Sequence, residues 1–213
     1  MIKNIVFDIG NVILNFNYKE VLNEYTSDKE QQKFIENNII NSPEWLGYAL
    51  IDTGYITKEE AISIVQDRTN HTNDLLIENF WNTYNNYGYV DNRVLDLIKN
   101  LKEQNYNVYL LSNINAHTVD AIKSSGIFDI VDGYVLSYVE HQVKPYISIY
   151  TTLIDRYSLK VNECLFIDDN ENNIKTANEL GMIGKLVEPD NYKSVISTIN
   201  EAIKKGVDPN EWK

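Results

Sequence analysis

Residues 2–13 of the chain read IKNIVFDIGNVI, in which a short apolar run ends at Asp8 and is followed by Gly10 and Asn11. Apolar runs of this length, stopped by polar or turn residues, are typical of strands buried in a parallel sheet. Similar runs follow at residues 108–111, 134–136, 164–167 and, more weakly, 183–187. Segments with helical spacing of apolar residues lie between the later runs. From about residue 89 onward, this order predicts a doubly wound α/β core built on a parallel sheet.

The stretch between the first two strands breaks this alternation. It contains helix start signals of capping-box form at Asn17-x-x-Glu20, Ser27-x-x-Glu30 and Thr57-x-x-Glu60. A helical stretch of this length is long for a crossover between neighbouring strands. We therefore predict that residues 1–14 and 89–213 form the core and that residues 15–88 form an inserted α-helical cap. An elaborated crossover helix is the alternative.

The overall charge excludes several classes of partner. The 213 residues include 31 acidic and 19 basic side chains, a formal net charge of −12. Such a chain repels phosphate backbones, so we expect no nucleic-acid partner, and a phosphorylated substrate would need a metal or a focused cation. No apolar run is long enough for a membrane helix, and the N-terminus lacks signal-peptide features. One cysteine, Cys164, fits a reducing cytoplasm, where we expect the protein to reside. The sequence does not indicate an oligomeric state.

Polar side chains follow the predicted strands. In an open parallel sheet, ligands bind outside the carboxyl ends of the strands. The side chains expected there are Asp8, Ser112, Asn113, Lys144, Asp168 and Asp169. Adjacent carboxylates are costly unless they are protonated or bound to a cation, and acidic oxygen-rich sites suit Mg²⁺. The metal and Lys144 would neutralise a phosphoryl group, Ser112 and Asn113 would orient it, and Asp8 could attack phosphorus to form an aspartyl-phosphate.

These motifs resemble the haloacid dehalogenase-like hydrolase (HAD) superfamily over nearly the whole chain. VFDIGNVI resembles its first motif, LLSN its second, VKP its third and FIDDNENNI its fourth. The resemblance implies a Rossmann-like core and is nearest to small phosphatases with Asp-x-Gly-Asn-Val, including alpha-D-glucose-1-phosphatase-like enzymes. It implies that Asp8 is the nucleophile, and that Asp8, the Gly10 carbonyl and Asp169 with Asp168 bind Mg²⁺. It also implies that Ser112, Asn113 and Lys144 hold the phosphate and that Asn173 supports the acidic pair.

The sequence departs from this family pattern at Gly10. Phosphatases of the superfamily usually carry a second aspartate there, which protonates the leaving group and then activates water. Loss of general acid–base help typically costs about 10²–10⁴-fold in rate. Three hypotheses follow: a substrate whose leaving group needs little protonation, such as an anomeric, acyl or aryl phosphate; a substitute acid from the cap, for which Asp52 is the candidate; or weak turnover.

The function expected from these features is Mg²⁺-dependent hydrolysis of a small phosphorylated metabolite by a cytoplasmic enzyme. Sugar phosphates are one candidate class, because aromatic and amide side chains are frequent in the insertion: Tyr48, Tyr55, Trp81, Tyr84, Asn85, Asn86 and Tyr87. The main alternative is a phosphate-binding or regulatory protein with little catalysis. A 2-haloacid dehalogenase is less consistent with the sequence, because that reaction needs no metal and no arginine closely follows Asp8.

Overall fold

The structure, a computed structural model, describes residues 1–41 and 48–204. Its strands are β1 (Asn4–Phe7), β2 (Leu14–Asn15), β3 (Tyr89–Val90), β4 (Asn107–Ser112), β5 (Gly133–Leu136), β6 (Cys164–Asp168) and β7 (Ile183–Leu186). Five of them form one sheet in the order β5-β4-β1-β6-β7, and every neighbouring pair in it is parallel. All five strands predicted from apolar runs are therefore confirmed.

Strand β1 occupies the centre of this sheet. Its residue Ile5 pairs with Val108 of β4 on one side and with Leu165 of β6 on the other. All four residues of β1 are buried, as expected for a strand covered on both faces. Because the strands are parallel, their carboxyl ends lie at one edge, and the residues that follow β1, β4 and β6 are brought together there.

Helices cover both faces of the sheet. The described helices are α1 (Tyr18–Tyr25), α2 (Lys29–Ile35), α3 (Tyr48–Asp52), α4 (Lys58–Arg68), α5 (Asp74–Thr83), α6 (Asn92–Glu103), α7 (Ala116–Ile122), α8 (Ile127–Ile130), α9 (Ser137–Glu140), α10 (Ile147–Arg156), α11 (Glu171–Leu180) and α12 (Tyr192–Lys204). Ile5 and Phe7 of β1 pack in one apolar cluster with α6 and α12, whereas Val6 packs in a second with α10 and α11. This alternation gives the doubly wound α/β core that the sequence predicts.

The helices from α1 to α5 lie between β2 and β3 and contain an apolar cluster of their own. Its buried residues are Val21, Leu22, Ile35, Ile39, Ile51, Ala61, Ile62, Val65, Ile77, Phe80, Trp81 and Tyr84. The antiparallel pair β2–β3 joins the two ends of this insertion, with Leu14 opposite Val90. The division into core and cap, with the cap at residues 15–88, remains a prediction.

The predicted start signals of the inserted helices agree with the structure in two of three places. Asn17 caps α1 through a bond from the Lys19 N–H, and Thr57 forms a full capping box with Glu60 at α4. The prediction of Ser27 as a cap was wrong. Asp28 caps α2 instead, because its carboxylate accepts two main-chain N–H groups of the first turn.

Among the described helices, none has the length and apolarity needed to cross a lipid bilayer. The longest described helix, α12, has 13 residues, whereas a helix that spans a membrane needs about 20.

The insertion's apolar cluster can be tested with two residues of α5. Ile77 is 0% exposed within the cluster, whereas Leu75 is 75% exposed. We expect Ile77→Ala to lower the free energy of unfolding by about 2–5 kcal/mol, because it removes buried methyl groups and leaves a cavity. Leu75→Ala should change it by less than about 0.5 kcal/mol. Urea unfolding followed by circular dichroism measures both, and equal effects of the two variants would contradict the packing described.

Candidate active site

Three carboxylates meet at the carboxyl-terminal edge of the sheet. Asp8 directly follows β1, Asp168 is the last residue of β6, and Asp169 follows it. Each offers one carboxylate oxygen, and these three oxygens all lie within 4.8 Å of one another, so the three residues form a single group. The parallel register of β1 and β6 brings these residues together although they are far apart in sequence.

Lys144 enters this group from the loop after α9. Its side chain is only 1% exposed, and its Nζ lies 2.8 Å from Asp8 Oδ1 and 2.6 Å from Asp168 Oδ2. Asn113 holds the loop in place, because its Nδ2 donates to the Lys144 carbonyl at 2.9 Å and its Oδ1 accepts from the Lys144 N–H at 2.8 Å. The side chain of Asn113, predicted to contact phosphate, thus positions Lys144 in this structure.

Burial and mutual repulsion dominate the electrostatics of the group. The pKa of Asp8 is raised to about 7: burial is the largest cause and the nearby Asp168 adds to it, while the attraction of Lys144 opposes both. Burial opposes the charge on Lys144, but attraction to Asp168 and Asp8 outweighs it and raises the lysine pKa above its usual value. With all carboxylates ionised, the group has a formal charge of −2. A divalent cation would neutralise that charge.

The two adjacent aspartates have different surroundings. Asp168 Oδ1 accepts from the Asn170 N–H at 2.8 Å and from Asn173 Nδ2 at 3.0 Å, while Oδ2 accepts from Asn173 Nδ2 at 3.0 Å and from Lys144. Asn173 therefore contacts the acidic pair, where it was predicted. Asp169 is less buried, and its hydrogen bond within the described chain is from Asn11 Nδ2 to Oδ2 at 3.0 Å. This leaves Oδ1 of Asp169 with more freedom to bind a cation.

Ser112, the last residue of β4, supplies a hydroxyl at the same edge. Its side chain is fully buried, and its Oγ has no hydrogen-bond partner of good geometry among the described residues. It is close enough to Asp8 to help lower the pKa of that carboxyl. A buried hydroxyl without a good partner is costly, so an oxygen-rich ligand beside Asp8 would satisfy it.

A cavity of about 270 Å³ adjoins the carboxylate group. The core lines it with Gly10, Asn11, Leu14, Asn113, Ile114, Asn115 and Thr118, and the insertion lines it with Phe16, Tyr18, Val21, Ile40, Asp52, Phe80, Tyr84 and Asn85. The cavity walls are thus mainly apolar, with a few polar groups. Cavities of this kind, beside buried titratable groups, are typical of enzyme active sites.

The aromatic and amide residues singled out in the insertion differ in position. Tyr84 and Asn85 line the cavity. Trp81 is buried in the insertion's apolar cluster, and Tyr55 is exposed, with its ring stacked on His141 at 4.9 Å. Asn86 and Tyr87 line a separate pocket, and the side chain of Tyr48 lies outside the described part.

The missing carboxyl at Gly10 leaves open space. A Cβ built on Gly10 would meet no atom within 4 Å.

Asp52, at the end of α3, lines the same cavity as Gly10 and is held by two core residues that the sequence did not indicate as site residues. Asn115 Nδ2 donates to Asp52 Oδ1 at 2.8 Å, and Ser137 Oγ donates to the Asp52 carbonyl at 2.6 Å. The N-cap spacing Asn115-x-x-Thr118 is the sequence pattern that could have identified Asn115, whereas no local pattern indicates Ser137.

Comparison with known proteins supports the family resemblance. Residues 2–181 match the family described as haloacid dehalogenase-like hydrolases. The chain is 29% identical over 206 residues to a D-ribitol-5-phosphate phosphatase from Bacteroides thetaiotaomicron, which covers 90% of this chain and 93% of the relative. It is 25% identical over 183 residues to a sesquiterpene phosphatase from Aspergillus oryzae, which covers 85% and 88%.

A solved structure has the same fold. The magnesium complex of a HAD family enzyme from Bacteroides thetaiotaomicron superimposes with a TM-score of 0.71 at 27% identity, covering 92% of this chain and 98% of that one. The predicted subgroup with Asp-x-Gly-Asn-Val remains a prediction. Since the family match extends from β1 to the end of α11 and includes Asp8, Lys144 and Asp168, the chain belongs to the haloacid dehalogenase-like hydrolases.

Proposed function

We propose that this protein is a Mg²⁺-dependent phosphatase that hydrolyses a small phosphorylated metabolite through an aspartyl-phosphate on Asp8. The observation that carries the proposal is the group of Asp8, Asp168 and Asp169 around buried Lys144, beside a cavity. Both relatives described above are phosphatases, which supports the prediction of a phosphoric monoester hydrolase.

The residues at the sheet edge fit Mg²⁺. Their donors are all oxygens, the carboxylates lie within 4.8 Å of one another, and their charge calls for a divalent cation. We assign Asp8, Asp169 and the Gly10 carbonyl as ligands, with Asp168 contributing from its hydrogen-bonded position. When bound, the ion would neutralise negative charge on the phosphoryl group. A related HAD family enzyme has been solved with magnesium and inorganic phosphate, which supports this assignment.

In this mechanism, different side chains of the chain attack phosphorus and bind the phosphoryl oxygens. Asp8 Oδ1 accepts from its neighbour Ile9 N–H at 2.7 Å and contacts Lys144, so we assign Oδ2 to the attack on phosphorus. Lys144 would hold phosphoryl oxygens by charge, and Ser112 would donate its hydroxyl to one of them. These donors are buried and fixed before the substrate arrives, which favours stabilisation of the negative charge on the phosphoryl oxygens in the transition state.

For the substrate, we propose a sugar or polyol phosphate. The Asn85 amide nitrogen at the cavity wall is buried and has no hydrogen-bond partner among the described residues. Its oxygen lies 3.2 Å from Thr118 Oγ1, and because Asn85 lines the cavity, we assign its nitrogen to a ligand that a small rotation of the side chain would bring within reach. A substrate hydroxyl would satisfy this nitrogen, whereas a hydrocarbon would leave it unpaired. The D-ribitol-5-phosphate phosphatase relative supports the same class.

The metal and the nucleophile can be tested together. We expect Mg²⁺ to support hydrolysis of p-nitrophenyl phosphate and of a panel of sugar and polyol phosphates, and EDTA to abolish it. Asp8→Asn should lower kcat by at least about 10³-fold, because the nucleophile is lost. Asp96→Asn, which changes a carboxylate that is 69% exposed on α6, is the matched control and should keep full activity.

The alternatives predict different outcomes for the same assays. Binding of Mg²⁺ and phosphate without turnover across the panel would favour a phosphate-binding or regulatory protein. Metal-independent release of halide from 2-haloacids would favour a dehalogenase. Either result would contradict the phosphatase proposal.

The substrate class can be tested at Asn85. We expect Asn85→Leu to raise KM for sugar and polyol phosphates by about 3- to 10-fold, the value of one lost hydrogen bond. The KM for p-nitrophenyl phosphate should not rise, because its ring offers no hydroxyl. Asn86→Leu, an exposed neighbour outside the cavity, is the control. Equal rises for both substrates in Asn85→Leu would contradict a hydroxyl-specific role.

A further inference from the structure

We propose that Asp52, contributed by the insertion, is the general acid and base that replaces the carboxyl missing at Gly10. This inference rests on the proposed phosphatase function and names a further catalytic residue for it. Asp52 and Gly10 line the same cavity, and the space above Gly10 is open. A carboxyl reaching the leaving oxygen from elsewhere in the cavity wall therefore meets no obstruction from a side chain at the Gly10 position.

Core residues hold Asp52 in a defined position. Asn115 donates to Oδ1 at 2.8 Å, and the same Asn115 is fixed because its Oδ1 accepts from the Thr118 N–H at 2.9 Å. Ser137 donates to the Asp52 carbonyl and accepts from the Ile114 N–H at 2.9 Å. The hydrogen bonds that the described residues make to the Asp52 side chain involve Oδ1, so Oδ2 is left to exchange a proton with the substrate.

The loop that follows Asp52 is docked closely on the core. Gly54 has φ +70°, and a Cβ there would lie 2.1 Å from the Tyr138 carbonyl oxygen, so only glycine permits this approach. The Thr53 carbonyl contacts His141 Nδ1 at 3.0 Å, and the Tyr55 ring stacks on the His141 ring. These contacts attach the end of α3 to the core beside the cavity, where a proton donor must be fixed to act.

The chemistry balances with water as the only co-reactant. Asp8 attacks phosphorus, the bond from phosphorus to the leaving oxygen breaks, and that oxygen takes the proton of Asp52. Water then attacks the phosphorus of the aspartyl-phosphate and gives a proton to the Asp52 carboxylate. The bond between Asp8 and phosphorus breaks, which releases inorganic phosphate and restores both side chains.

The protonation of Asp52 suits this task. The pKa of Asp52 is raised to about 7: burial is the largest cause, the hydrogen bond from Asn115 opposes it, and the negative charge of Asp8 adds to it. Other titratable groups nearby are Tyr84, whose hydroxyl lies 3.5 Å from the Asn115 amide, Tyr18, which lines the same cavity, and His141, which contacts Thr53. A carboxyl that titrates near neutral pH can both donate and accept a proton there.

The first test compares two leaving groups in single-turnover measurements. Phenyl phosphate releases phenol, with a pKa of about 10 like tyrosine, whereas p-nitrophenol is far more acidic and leaves without protonation. We expect Asp52→Asn to slow phenol release by about 10²-fold or more and p-nitrophenol release by less than about tenfold. Asp67→Asn, a carboxylate of the insertion that is 72% exposed, is the matched control.

Rescue and pH dependence distinguish this role from a structural one. Gly10→Asp introduced into Asp52→Asn should restore phenol release, because Gly10 has no positive φ and its Cβ position is free. In the wild type, phenol release should fall as pH rises through about 7 and the acid deprotonates. That fall should be absent in Asp52→Asn, with circular dichroism melting verifying the fold of each variant.

The outcomes separate the two proposals. If Asp52→Asn hydrolyses both esters at the wild-type rates, the assignment of Asp52 is overturned and the phosphatase proposal stands. Failure of the wild type to hydrolyse either ester with Mg²⁺ would overturn the phosphatase proposal itself.

Discussion

The buried contact of Lys144 with Asp8 and Asp168 is the interaction on which the rest of the site depends. A buried ammonium and two buried carboxylates are stable only when each is paired, since removing one partner leaves an uncompensated charge. Both carboxylates come from the ends of neighbouring strands, and the lysine comes from a loop held by Asn113. The parallel sheet therefore fixes all three charges before any ligand binds.

The charged groups of the site lie beyond the carboxyl end of strand β1. The strand is buried along its whole length and is apolar from Ile5 to Phe7, so charges are placed where it ends. The hydrogen bonds of Asn173 and Asn170 satisfy both oxygens of Asp168, and Asp169 projects beside it with fewer partners. The two adjacent carboxylates thus differ in their surroundings, and in the proposed mechanism Asp168 belongs to the framework of the site whereas Asp169 binds the metal.

The sequence predicts local features well and contacts between distant segments poorly. The strands at residues 164–167 and 108–111 were recognisable because buried parallel strands are continuous apolar runs. The pair β2–β3 was not, because two-residue strands have no periodicity. The bond of Ser137 to Asp52 joins residues 85 positions apart and leaves no local signal. Asn11 is a partial exception: its φ of 56° is one that asparagine tolerates, but its bond to Asp169 depends on the fold.

The division of labour between core and insertion has a mechanistic consequence. In the proposed mechanism, the core carries the groups assigned to hold and attack the phosphoryl group, whereas the insertion carries Asp52 and Asn85, which line the cavity and are assigned to the leaving group. If Asp52 donates the proton, a substrate is protonated efficiently only when the insertion is docked as it is here, with Gly54 against Tyr138. Recognition of the leaving group and its protonation would then both depend on this contact between the insertion and the core. On this proposal, a glycine in place of the usual aspartate would move proton transfer from the sheet edge to the insertion, which also carries the residue assigned to substrate recognition.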